Sequence, residues 1–188
     1  MHKSDRAHHK TVNGGIGFSG TIRRVWAGGA FRGMSNSFMQ EAIQRAVENV
    51  RSGRGGPFGA VVVKGGRVIA TGTNLVTSAN DPTAHAEVTA IREACRALGT
   101  FQLTGCEIYT SCEPCPMCLG AIYWARPDRV FFAATASDAA EAGFDDSFIY
   151  EELKRPHRER GIPFEPMMRE AGLEPLREWA RKNDRIRY

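Results

Sequence analysis

The chain has 188 residues, 42% of them apolar and 24% charged, which suits one soluble globular domain with extensions and a core that needs no disulfide staples. Its formal net charge of +4 hints at nucleic acid, but Lys3, Arg6, Lys10, Arg23, Arg24 and Arg32 against Asp5 put the excess within residues 1–33. The remainder is close to neutral, which argues against a broad phosphate-binding surface, and no run of 18 apolar residues exists to span a membrane.

Residues 1–33 are rich in Gly, His and Arg, without helical or alternating period, and read as a disordered leader. Arg23-Arg24 interrupts the one stretch that would serve as a secretory signal core, so the cytoplasm is the default compartment. Met34 is the expected native start. Ser35 or Ser37 caps a first helix to about Val50, with Phe38, Ala42, Ile43, Ala46, Val47 and Val50 on one face. Phe58 to Lys64 and Arg67 to Thr73 flank Gly65-Gly66, the pattern of a β-hairpin. The polar stretch after it ends in Asp81-Pro82-Thr83, a turn and cap signal for a helix from about Ala84 to Leu98, stopped by Gly99.

A strand starts at about Cys106, a helix covers about Cys115 to Trp124, and Arg129 to Ala133 is a further strand. Phe164 to Met168 reads as an extra edge strand and Leu173 to Arg181 as a short helix. The order predicts an α/β fold: a three-layer αβα arrangement around a mixed sheet of about five strands, with helices on both faces. One domain, residues 34–188, is expected, including the C-terminal segment.

His85-Ala86-Glu87 and Pro114-Cys115-Pro116-Met117-Cys118 carry the chemistry. Cys115 and Cys118 lie one helical turn apart, so both sulfurs reach one ion. With His85 they make three zinc ligands and leave one tetrahedral position open, the catalytic arrangement. Glu87 is either a first-turn glutamate favoured by the helix dipole or the general base and acid of the site. Cys112 is a possible fourth ligand or a small buried residue, and Cys95 and Cys106 read as core. Asn74 reads equally as a loop residue or as an amide that recognises a polar edge. Phe58 and Trp124 read as core more readily than as a stacking platform, and Asp145 and Asp146 as a solvated acidic pair or helix cap.

The H-x-E…P-C-x-x-C pattern marks zinc nucleobase deaminases. With Gly56-Pro57-Phe58-Gly59-Ala60, Asp81 to Ile91, Thr110 to Trp124 and Glu141 to Phe148, residues 36–188 resemble the guanine deaminases of the cytidine deaminase-like superfamily. The resemblance implies hydrolytic conversion of guanine to xanthine and ammonia, with one zinc per subunit held by His85, Cys115 and Cys118. Glu87 and Asp146 would be catalytic. Asn74, Phe58, Ala86, Trp124, Asp146 and Tyr188 would contact the purine. It further implies a homodimer whose exchanged C-terminal segment closes the pocket with Tyr188. Guanosine, cytosine and the wobble adenosine of transfer RNA are the competing substrates of this chemistry. A non-enzymatic zinc-stabilised binding module, its site closed by Cys112, is the competitor from another class.

Overall fold

The computed structural model describes residues 30–187. Residues 1–29 of the expected leader and the terminal Tyr188 lie outside the described residues.

Helix α1 runs from Ala30 to Arg51, so Ser35 and Ser37 fall inside it rather than at its start. Gly33 lies within it too, although Gly in a helix interior costs about 1 kcal/mol relative to Ala. The buried stripe is rotated from the expected one. Ala42 and Ala46 are buried, but Ile43, Val47 and Val50 are exposed, and Asn49 is fully buried in the next turn. The cause is a close approach: a Cβ added to Gly59 would come within 2.3 Å of Ala42 O and 2.8 Å of Ala46 N. Only small side chains fit where α1 crosses the sheet.

Strands β1 (Gly59–Lys64) and β2 (Arg67–Thr73) form the expected antiparallel hairpin. Gly65 and Gly66 both take positive φ, 56° and 75°, as a two-residue type I′ turn requires. The short helix α2 (Val76–Ala79) follows, then α3 (Ala86–Leu98), which ends on Gly99 in the left-handed conformation. Strand β3 (Cys106–Cys112) leads into α4 (Pro116–Ala125), and α4 crosses over to β4 (Arg129–Ala134).

The sheet order is β2-β1-β3-β4, antiparallel except for the β3–β4 pair. This is the mixed α/β sheet anticipated from the element order. It has four strands rather than about five, because residues 163–168 are irregular. Pro163 and Pro166 each lack the N–H that a ladder needs, and Met168 has φ 52°.

Ala60, Val62, Cys106 and Ile108 face α3 and α4, packing with Ala86, Ala90, Ala94 and Ile122. Val61, Val63 and Tyr109 face α1, where Phe131 stacks on Tyr109 at 4.8 Å. The continuous apolar run of β1 is therefore that of a strand covered on both sides. After β4 come α5 (Ala136–Glu141), α6 (Ser147–Lys154), a 3₁₀ turn (His157–Glu159), α7 (Arg169–Gly172) and α8 (Glu174–Arg181). No residue from 155 to 187 is buried. No helix of the described residues is long and apolar enough to cross a membrane.

Candidate active site

Two helix starts converge beside the end of β3. His85 is the N-cap of α3, and its carbonyl accepts the Thr89 N–H at 2.9 Å. Cys115 is the N-cap of α4, with Pro116 at the first helical position, where a missing N–H costs nothing. Its Sγ accepts the Cys118 N–H at 3.5 Å. Each start turns the positive end of a helix dipole toward the cluster.

His85 Nδ1 lies 3.5 Å from both Cys115 Sγ and Cys118 Sγ. Zn–S and Zn–N bonds meeting tetrahedrally would hold such donors about 3.6 Å apart. The three donor atoms lie within 4.8 Å of one another, and this is the one such metal-competent group among the described residues. The donor set fits zinc with a coordination position to spare. Cys112 is not part of it: its thiol donates to Thr135 O at 3.5 Å, and burial pushes its pKa up.

The hydrogen bond from Cys118, aided by His85, pushes the Cys115 thiol down to about 4, while the same contact and burial push Cys118 up. The hydrogen bond with Cys115 is the main cause holding the His85 pKa above its ordinary value.

Glu87, in the first turn of α3, is 5% exposed. Its Oε1 accepts from Thr110 Oγ1 at 2.9 Å, and its Oε2 accepts from the Cys118 thiol at 3.4 Å. Burial pushes its pKa up, and the hydrogen bonds oppose that shift. Asp146, the residue before α6, is likewise raised, first by burial and then by the charge of Cys115.

These groups open onto a cavity of about 520 Å³ lined by His85, Glu87, Cys115, Asn74, Phe58 and Asp146, together with Gly55, Gly56, Glu113, Phe144 and Asp145. Phe144 meets Phe58 edge-on at 5.0 Å. Asn74 is buried; its Oδ1 accepts from Gly56 N at 3.4 Å and Val76 N at 3.3 Å. With its acceptor committed to the backbone, the amide can offer the cavity only its Nδ2 donor.

The remaining expected residues are placed differently. Ala86 is fully buried in the core cluster under α3. Trp124 is 65% exposed and does not line the cavity. Tyr188 is outside the described residues.

Three contributors escaped the sequence reading. Thr110 was discoverable, because it continues the alternation of Cys106 and Ile108 toward α3. Glu113 lines the cavity with Oε2 held by the Ala136 N–H at 3.0 Å. Asn49 is a polar residue in an apolar stripe, and a hydrophobic period assigns no role to such a position.

Residues 34–134 match the cytidine and deoxycytidylate deaminase zinc-binding region. The guanine deaminase of Bacillus subtilis (strain 168) is 62% identical over 143 residues, covering 76% of this chain and 92% of that protein. The X-ray structure of guanine deaminase from Bacillus subtilis superposes with a TM-score of 0.80 at 58% identity, covering 81% of this chain and 98% of that one. A tRNA-specific adenosine deaminase from Aquifex aeolicus is 44% identical over 97 residues, which is 52% of this chain and 64% of that protein. On the match over residues 34–134 and the close likeness to the Bacillus subtilis enzyme, the chain belongs to the zinc-binding cytidine and deoxycytidylate deaminase family.

Proposed function

We propose that the protein is a zinc-dependent hydrolase that converts guanine and water to xanthine and ammonia. The observation that carries this reading is the three-donor group with buried Glu87 beside it, at one wall of a cavity with room for a purine. The identity to the Bacillus subtilis guanine deaminase supplies the substrate.

His85, Cys115 and Cys118 would hold the metal, which when bound supplies the Lewis acidity that makes water a nucleophile near neutral pH. Glu87, fixed by Thr110, takes the proton that the water loses and delivers it to a ring nitrogen of the purine. The water oxygen bonds to C2. Asp146, on the cavity wall, carries the proton left on the C2 hydroxyl to the exocyclic amine, the C2–N bond breaks as the C2–O bond becomes the carbonyl, and ammonia leaves. Asn74 donates from Nδ2 to an acceptor on the purine edge. Phe58, braced by Phe144, walls the ring.

The lining charges favour a neutral free base. Glu87, Glu113, Asp145 and Asp146 are acidic, and no Lys or Arg joins them among the described residues. A phosphate-bearing substrate meets repulsion there, which weighs against the transfer-RNA reading that the Aquifex aeolicus relative raises.

The same reading makes the protein a homodimer with exchanged C-terminal segments. Ile162, Phe164, Met167, Met168, Leu176 and Ile186 are all more than half exposed in the single chain, as are Tyr123 and Trp124 on α4. Apolar surface of this extent marks an interaction face. Trp124 and Tyr188 complete the site in that assembly. The five free cysteines suit a reducing cytoplasm.

The test is ammonia release by the zinc-loaded protein from guanine, guanosine, cytosine and transfer RNA. Guanine is expected to lead by orders of magnitude; preference for a nucleoside or for RNA would overturn the substrate assignment.

A further inference from the structure

We infer that Asn49 is a positioning residue for purine recognition, acting from α1 by fixing the two backbone segments that present Asn74 to the cavity. Its Nδ2 donates to Asn74 O at 2.7 Å and to Gly56 O at 3.0 Å. Those are the two segments that Asn74 itself ties together, because Asn74 Oδ1 accepts the Gly56 N–H. One amide nitrogen thus bridges the loop before β1 and the segment after β2. The Asn49 carbonyl adds a hold on the start of the same loop, accepting from Arg54 N at 3.2 Å and Ser52 Oγ at 2.9 Å.

The fit around this bridge is tight. A Cβ on Gly55 would come within 2.1 Å of Asn74 O and 3.1 Å of Asn49 Nδ2. Asn49 is fully buried and does not line the cavity, so it acts through Asn74 and the loop, without touching substrate.

The side-chain chemistry at position 49 is specific. Asn49 Oδ1 is buried and has no hydrogen-bond partner among the described residues. The amide is therefore kept for its two N–H groups, since an unpartnered buried acceptor is unfavourable. An aspartate of the same shape has no donors for the two carbonyls, and the leucine that the helical stripe invites has none either. The consequence reaches the site through one atom. With the Gly56 and Val76 N–H groups held against Asn74 Oδ1, the Asn74 amide cannot flip, and the cavity receives a donor.

The test is a double-mutant cycle in the zinc-loaded full chain with guanine as substrate. Asn49→Ala, Asn74→Ala and the double variant are compared, with Asn49→Ser, whose single short hydroxyl cannot bridge both carbonyls, replacing Asn49→Ala if that variant does not fold. Each single variant is expected to raise KM about tenfold while kcat changes less than about threefold. The Asn49 substitution is expected to leave KM unchanged in the Asn74→Ala background. A purely structural Asn49 would lower the melting temperature and the active fraction in both backgrounds with KM unmoved, and that result overturns the inference. KM effects that multiply in the double variant overturn it as well. The inference rests on the proposed contact of Asn74 with substrate: an unmoved KM in Asn74→Ala overturns both, whereas a raised KM there with an unmoved KM at Asn49 overturns the inference alone.

Discussion

Thr110 Oγ1 donates a 2.9 Å hydrogen bond to Glu87 Oε1, joining the central strand β3, one of two inside the sheet, to the first turn of α3. Both groups are buried, so the hydroxyl does for the carboxylate what water would do at a surface. It also fixes the rotation that sends Oε2 toward Cys118. Thr110→Val keeps the β-branched shape and removes the donor. A buried carboxylate oxygen then loses its partner, at a cost of about 1–3 kcal/mol. We expect kcat to fall about tenfold, by misplacement of the proton-transfer group, with zinc content unchanged. Steady-state kinetics beside metal analysis check this; an unaltered kcat would remove Thr110 from the account.

The three-donor site and a closed four-donor site differ at Cys112. Its thiol is engaged with Thr135 O, outside the metal-competent group. Cys112→Ala is therefore expected to bind zinc stoichiometrically and to remain active, whereas Cys118→Ser is expected to lose the metal and turnover together. Chelation of the parent protein should abolish activity, and added zinc should restore it. Loss of zinc from Cys112→Ala would instead support a structural site.

Gly72 links the sheet to the site. A Cβ there would come within 2.2 Å of Ala86 O and 2.5 Å of Ala90 N, both backbone atoms of the helix that carries His85 and Glu87. Gly72→Ala must push α3 outward, and we expect destabilisation by about 1–3 kcal/mol with weakened zinc retention. Gly120 gives the opposite sign. It lies inside α4 with open space at its Cβ position, so Gly120→Ala should stabilise by about 0.5–1 kcal/mol. Denaturant melts of the two variants measure both.

The tail carries its apolar groups outward. Leu176 is 64% exposed and Trp179 41% exposed on α8. If these pack on a second copy, Leu176→Glu with Trp179→Glu should yield a monomer by light scattering. That monomer should show a raised KM and poor activity, because the segment ending at Tyr188 no longer closes the pocket. A parent protein that is itself monomeric would contradict the exchange.

The three-donor group and Glu87 beside it were legible in the sequence because each half has local spacing: one turn separates the cysteines, and one residue separates His85 from Glu87. The hairpin was legible from Gly65-Gly66, and α3 from its stripe and its Gly99 stop. The stripe of α1 was misread because the limit is set from outside, by the backbone of Gly59 against Ala42 and Ala46. That contact turns Ile43 and Val47 outward and Asn49 inward. The expected fifth strand failed on Pro163 and Pro166, whose effect outweighed the apolar pattern between them. Trp124 could not be placed from a single chain at all, since in one chain it faces outward.

The most direct test of the central claim is turnover of guanine by zinc-loaded Glu87→Ala beside the parent protein. The parent should release xanthine and ammonia in equal amounts. The variant should hold zinc stoichiometrically and lose at least about 10²–10⁴-fold in kcat, the range expected for removal of a positioned acid–base group. Zinc-replete Glu87→Ala with parental kcat would contradict the account.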